Sequence, residues 1–225
     1  MAFEYRLQDA VAEIRFDDGK ANVMSTSWFR ELGDLLDRAE KEEARGVLFR
    51  GRAGMFSGGL DMKWLPTLKG DAARELVETF SSTMLRVWGL GIPTAAAIGG
   101  HAVAGGCVLA SACDMRFAVE GPFRIQMNEV LVGMAMPSWA AVICQSAFPA
   151  PHSNDLLLLG RPFSPAEARA IGTLHGLAAS EEECAEQARA AARGFAAIGA
   201  RPYAVSKRRL RGAEIERVTA ALFTE

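Results

Sequence analysis

Apolar and polar residues alternate across residues 3–8 and again across 10–16, with only a short break between the two runs. Period-two alternation lets a strand bury one face and wet the other, so the pattern predicts a hairpin, followed by a turn at Asp17-Asp18-Gly19-Lys20. The period then changes. Trp28, Leu32, Leu35, Leu36 and Ala39 share one stripe of a helix reaching about Ala44, with Ser25 or Ser27 as its cap. Gly46 to Gly51 reads as a short buried strand. Met55 to Met62 is a glycine loop leading into a short helical stretch at 61–65, and Pro66 to Gly70 is loop. A second amphipathic helix over 71–89 runs through Leu76, Phe80, Met84, Leu85 and Trp88. A strand at 93–98, a Gly99-Gly100 break and a buried helix opening at Gly105 follow. Then come a strand at 115–119, an irregular stretch from Phe123 to Gly133, and a helix from Pro137 to Phe148. Beyond His152 only helices are predicted, at 152–159, 165–170, 181–198 and over much of 202–223, with Ser180 and Glu183 spaced as a capping box. No internal repeat and no low-complexity linker is evident. The order implies an α/β fold, with residues 1–150 as core and 151–225 as a helical region.

The 225 residues are enough for one sizeable α/β core. A net charge of −2 and a pI near 6.0 provide no basic footprint for nucleic acid. No apolar run reaches the roughly 18 residues of a membrane span. Met1 to Arg6 lacks the layout of a secretion signal, and the expected location is cytoplasmic. The four cysteines, Cys107, Cys113, Cys144 and Cys184, form no CxxC pair and read as small buried residues of a reducing compartment. Three scattered histidines predict no metal site.

The candidate chemistry lies in the two glycine turns, Ser57-Gly58-Gly59-Leu60 and Ala104-Gly105-Gly106-Cys107. Paired glycines admit close backbone approach, and a helix start presents free N–H groups to negative charge. Two such donors converging on one oxygen form an oxyanion hole, suited to a thioester or ester carbonyl; taken singly, each pair is a tight turn. Glu129 is a lone carboxylate flanked by Met127, Val130 and Leu131. Burial there raises a carboxyl above its free value of about 4.3, making a base, while pairing with Arg124 would make it structural. His101 reads as structural, and Asp61 as a cap for its own loop. Lys207-Arg208-Arg209-Leu210-Arg211 reads as a solvated helix face, the other reading being a basic cluster that reaches a phosphate bound by a neighbouring subunit.

Phe56-Ser57-Gly58-Gly59-Leu60-Asp61-Met62 and Ala104-Gly105-Gly106-Cys107, with Pro93 and Asp114 in register, resemble the crotonase (enoyl-CoA hydratase/isomerase) superfamily. Asn128-Glu129-Val130-Leu131-Val132-Gly133 with Pro137 and Trp139, then Pro162 to Ala168 and Gly172, continue the motifs in order, so the resemblance covers about residues 5 to 210. It implies a spiral of ββα turns around two roughly perpendicular sheets and a C-terminal helical trimerisation region. It also implies an acyl-CoA thioester substrate, in which coenzyme A is no separate cofactor, and a homotrimer or dimer of trimers with neither nucleic acid nor membrane as partner. The oxyanion donors fall on the N–H groups of Leu60 and Gly105. Lys20 to Met24, including Ala21 and Val23, resembles the segment bordering coenzyme A. Lys63 lies where relatives meet its phosphates, an exposed lysine being the other reading. Gly58, Gly59, Asp61, Met62, Leu65, Ala104, Val108, Ser138 and Trp139 complete the expected substrate-binding set. Chain end Glu225 comes before the further helix of typical relatives. Hydratases of the superfamily carry two glutamates; here one position holds Val108 and the other Glu129. A single acid resembles the Δ3,Δ2-enoyl-CoA isomerase branch, with a hydratase, a hydrolase or a non-catalytic acyl-CoA-binding member as alternatives.

Overall fold

The alternating N-terminal run forms an antiparallel hairpin, β1 (Ala2–Gln8) and β2 (Val11–Asp17), in a computed structural model that describes residues 2–222. Ala12, Ile14 and Phe16 point into one core and Val11 into another, as strand alternation requires. A strand–strand–helix unit then recurs. β2 is followed by β3 (Val23–Met24) and α1 (Thr26–Lys41). The next unit is β4 (Gly46–Arg50), β5 (Gly54–Ser57) with the short β6 (Gly59–Leu60), and α2 (Asp71–Gly89). After it come β7 (Thr94–Ile98), β8 (Gly100–Val103) and α3 (Gly105–Ala112). The last is β9 (Met115–Val119), β10 (Ile125–Gln126) and α4 (Ser138–Ala147). α5 (His152–Leu157), α6 (Pro165–Ala170), β11 (Gly176–Ala178), α7 (Glu181–Ala196) and α8 (Ala200–Ala221) complete the described chain.

The first strand of each unit enters a six-stranded sheet ordered β1-β2-β4-β7-β9-β11, parallel except for the hairpin. The second strands form a parallel three-stranded sheet, β10-β8-β5, and a parallel pair, β3-β6. The repeat is thus one of backbone path, not of residues, which is why no self-similarity shows in the sequence. β8 and β10 replace the expected glycine break and irregular stretch; each is too short to display a period. The stretch expected to be helical at 61–65 is instead a turn leaving β6, with a single 3-10 turn at Leu65–Thr67. α1 ends at Lys41, before Ala44, and its cap is Ser25, whose hydroxyl accepts from the Trp28 N–H.

The tail holds one strand, β11, contrary to the all-helical expectation; its three residues pair with β9 at the sheet edge. The expected box at Ser180 is half made: Ser180 Oγ accepts from the Glu183 N–H, while Glu183 accepts from the Ala179 N–H. The reciprocal box is at Ser164 and Glu167. α7 lays Cys184, Ala185, Ala188 and Ala192 across Leu48, Ala95, Ala97, Phe117 and Val119 of the large sheet. Small side chains on that helix face let it seat closely on the strands. The opposite core is larger and holds Phe16, Trp28, Phe29, Phe56, Met84 and Trp139.

The expected solvated face at 207–211 is corrected by the structure. Lys207 is only 5% exposed, and its ammonium donates to Asp114 Oδ2 at 2.8 Å. Tyr203 OH donates to the same oxygen at 2.6 Å, and Arg211 pairs with Oδ1 at 3.1 Å. Tyr203, Lys207 and Arg211 recur at four-residue spacing and so share one face of α8. Arg208, Arg209 and Leu210 do point outward.

Candidate active site

The strands β5, β8 and β10 run parallel, with Ser57 level with Ala102 and Gln126 level with Val103. Their C-terminal ends therefore lie side by side, the edge at which parallel sheets offer ligand sites. Each of the three sequence motifs follows one of these ends.

After β5, Gly59 takes φ +83°, and a Cβ built there would lie 2.8 Å from the Gly105 nitrogen and from Ala104 Cβ. The two glycine turns are thus in contact. After β8, Ala104 holds φ 49° and ψ −121°, a conformation sparsely populated by residues with a Cβ. It turns the chain sharply into α3, where Gly105 is the first residue and its N–H has no acceptor within the helix. Gly106 is needed for another reason: a Cβ there would stand 2.3 Å from the Ser57 carbonyl oxygen.

The segment expected to border coenzyme A is fastened to the first turn. Gly58 N–H donates to Ala21 O at 2.8 Å, and Ser57 Oγ donates to Asn22 O at 2.7 Å while accepting from the Gly59 N–H at 3.1 Å. Asn22 is fully buried, and its amide donates to Phe16 O, Met55 O and Phe56 O. Asp18 accepts from the N–H groups of Lys20, Asn22 and Val23; burial opposes its ionisation, but these donors and Arg52 hold its carboxyl below the usual range. Asn22 and Ser57 were not singled out from sequence, since a buried amide and hydroxyl carry no periodic signal. Asp61 caps its own loop, accepting from the Lys63 N–H at 2.9 Å.

After β10, Glu129 reaches a cavity of about 380 Å³. Leu60, Leu65, Val108 and Trp139 of the expected set line the same space, together with Leu76, Phe80 and Met136, which sequence reading assigned to core or passed over. Glu129 Oε2 is buried and accepts no hydrogen bond among the described residues, so the expected alternative of pairing with Arg124 is not what the structure contains. Burial pushes the Glu129 carboxyl above its ordinary range, opposed only by its own backbone N–H. Of its chain neighbours only Met127 is buried; Leu131 is 63% exposed. Its enclosure comes from the cavity wall instead. Val108 lies one turn into α3, its N–H donating to Ala104 O at 3.0 Å, and is 1% exposed.

Other expected residues lie around this centre. Val23 pairs with Gly59 in the β3-β6 ladder. Met62 and Lys63 are exposed beyond the first turn. Ser138 opens α4 beside Trp139 but is not in the cavity wall. His101 is structural: its Nδ1 accepts from the Arg124 N–H at 3.1 Å, and burial, then the Arg124 charge, lowers its pKa. All four cysteines are buried, and burial raises the thiols of Cys113 and Cys184 to about 12. Among the described residues no three His, Cys, Asp or Glu side chains gather as metal ligands, and no helix is long and apolar enough to cross a membrane. A larger groove of about 750 Å³ runs between α2 and α8, but neither glycine turn nor Glu129 contributes to it.

Fold and paired turns define a crotonase-like protein. The chain belongs to the enoyl-CoA hydratase/isomerase family, whose model matches residues 6–221. Enoyl-CoA delta isomerase 1 of mouse mitochondria is 29% identical over 167 residues, 73% of this chain; the chain spans 58% of that protein's length. A Bacillus subtilis protein named "Probable enoyl-CoA hydratase" is 30% identical over 198 residues, covering 87% of this chain and 76% of its own. The crystal structure of an enoyl-CoA hydratase/isomerase family protein from Pseudomonas syringae superposes with a TM-score of 0.91 at 32% identity, covering 98% of this chain and 94% of that one.

Proposed function

We propose that this protein is an enoyl-CoA isomerase, moving a double bond from C3 to C2 of an acyl-CoA thioester. One observation carries the reading: among the described residues Glu129 is the only titratable side chain lining the cavity, and Val108 lines it where a hydratase of the family places a second glutamate. Water addition asks for activation of water and delivery of a proton at C2, work usually shared by two carboxylates. Double-bond migration needs only one base that removes a proton and returns it. In the proposed course, the N–H groups of Leu60 and Gly105 donate to the thioester oxygen. Glu129 takes the proton from C2, and the electron pair spreads over a dienolate whose oxygen charge those donors stabilise. The protonated Glu129 then delivers the proton to C4, leaving the double bond between C2 and C3 and the carboxylate restored. An apolar wall keeps water from competing for the intermediate. The reading brings with it a homotrimer or dimer of trimers, which sedimentation velocity measures directly.

The test compares 3-enoyl-CoA with crotonyl-CoA as substrates. Isomerisation of the first with little hydration of the second is expected, and Glu129→Gln should lower the isomerisation rate by about 10²–10⁴, the usual worth of a general base. Hydration of crotonyl-CoA without isomerisation, tight acyl-CoA binding with no turnover, or a Gln variant as fast as wild type would overturn the assignment.

A further inference from the structure

We infer that the cavity buries about eight to twelve carbons of an acyl chain, with Ala73 and Val77 on α2 lining the part that the distal carbons occupy. The inference rests on the acyl-CoA reading above but not on the isomerase chemistry.

Phe80 marks the reacting end. Its Cζ lies 3.1 Å from a Cβ built on Gly105, so the ring abuts the oxyanion turn, and it stands edge-on to Trp139 at 4.8 Å between centroids. Phe29 stacks behind it at 4.7 Å, leaving no room for an acyl tail in that direction. From Phe80 the lining face of α2 runs back through Val77 and Leu76 to Ala73. That is two helical turns, about 10 Å along the axis. An extended chain of single bonds advances about 1.2 Å per bond, as the backbone does, so this length takes about eight bonds. The volume gives a second measure. At about 30 Å³ for each water-sized group, a cavity of about 380 Å³ holds a dozen.

Among the described residues the cavity is open along α2, where Val77 lines it and yet is 42% exposed. A longer tail therefore emerges into water and gains no further burial. Beyond Glu129 the described residues of the wall present no polar side chain to pair a hydroxyl or a terminal carboxylate on the chain. Ala73 is the smallest of the α2 lining side chains, and enlarging it narrows the distal half while leaving the oxyanion turns untouched.

The experiment is calorimetric titration of the full chain with saturated acyl-CoAs from butanoyl to hexadecanoyl, which bind without a double bond to move. Kd should fall by up to about fourfold per added methylene and level off at about ten to twelve carbons. Ala73→Phe should lower the ratio of dodecanoyl-CoA to butanoyl-CoA affinity at least tenfold and move the plateau to shorter chains. Should that variant not fold, Val77→Trp, at an exposed position, is read in the same way. Affinity indifferent to chain length, or a plateau unmoved by either variant, would overturn the inference. Graded binding without isomerisation removes the reaction proposed above and leaves this one standing; isomerisation with flat binding does the reverse.

Discussion

At the residue scale the decisive group is a carboxylate with one oxygen left unpaired. Among the described residues Glu129 Oε2 is enclosed and accepts no hydrogen bond, and burial raises its pKa against the pull of its own backbone N–H. A group raised on folding contributes stability that is complete below its unfolded value, about 4.3, and is lost as pH climbs through the raised folded value. Glu129→Gln should therefore be more stable than wild type near neutral pH, on the order of 1 kcal/mol, with the difference closing toward acid. Thermal unfolding of both proteins across that range measures it. If Glu129 is the base proposed above, the same shift sets the sign for catalysis: a base must be ionised, so the rate should fall as pH drops through the raised pKa. Gly59 is the second such residue. An added Cβ meets strained backbone at φ +83° and stands 2.8 Å from the Gly105 nitrogen, on the donor itself. Gly59→Ala should cost about 10²–10³ in kcat, the scale of one lost oxyanion donor, with KM changed far less in steady-state assays. Glu129 and both glycine turns could be picked out in the sequence by residue type, as a lone carboxylate and two glycine pairs. Asn22 and Ser57, which fasten the bordering segment, were not; their roles exist only in the backbone groups they meet.

At the scale of elements, the candidate site comes together because three short parallel strands end at one level. None of the three displays its own period, yet their registers, Ser57 to Ala102 and Gln126 to Val103, bring motifs distant in sequence to one edge. Strong periodicity made α1 and α2 readable; β8, β10 and β11 owe their conformation to neighbours and were read otherwise. α8 was read as a helix correctly, but Lys207 and Arg211 were placed in solvent with Arg208 and Arg209. Its charged residues were assigned to solvent because a run of cations on a helix usually is solvated, and the buried carboxylate that gathers two of them, Lys207 and Arg211, lies far away in the chain, just past the end of α3. Burial resists ionisation of Asp114, but Lys207, then Tyr203 and Arg211, outweigh it and hold the carboxyl below its usual range. Asp114→Asn leaves Lys207 charged and enclosed, and should cost about 3 kcal/mol at neutral pH. A group lowered on folding contributes stability above its unfolded value, about 3.9, and loses it as pH falls through the lower folded value. The deficit in urea unfolding should thus be constant through the neutral range and shrink only in strong acid.

At the scale of the whole molecule, the chain from about residue 150 onward is no appendage to the sheet. β11 adds the last strand beside β9, and α7 covers the face formed by Leu48, Ala95, Ala97, Phe117 and Val119. Arg50 of β4, with its side chain 15% exposed, is held by Glu181 and Glu182 at the start of α7, and Arg189 further along pairs with Glu13 of β2 at 2.7 Å. α8 meanwhile binds the end of α3 through Asp114. From sequence the tail reads only as a helical region, since the alanine stripe of α7 has no marker for what it covers. The physical consequence is cooperativity. A fragment of residues 1–150 exposes an apolar sheet face and leaves Arg50, Asp114 and Glu13 without these partners, while the site's own residues stay present. Such a fragment should bind a hydrophobic dye, lack a sharp thermal transition and bind no acyl-CoA, whereas the intact chain should unfold in one step with coincident near- and far-ultraviolet dichroism. A sharp, dye-silent transition in the fragment would show instead that the three strand ends and their turns hold together without α7 and α8.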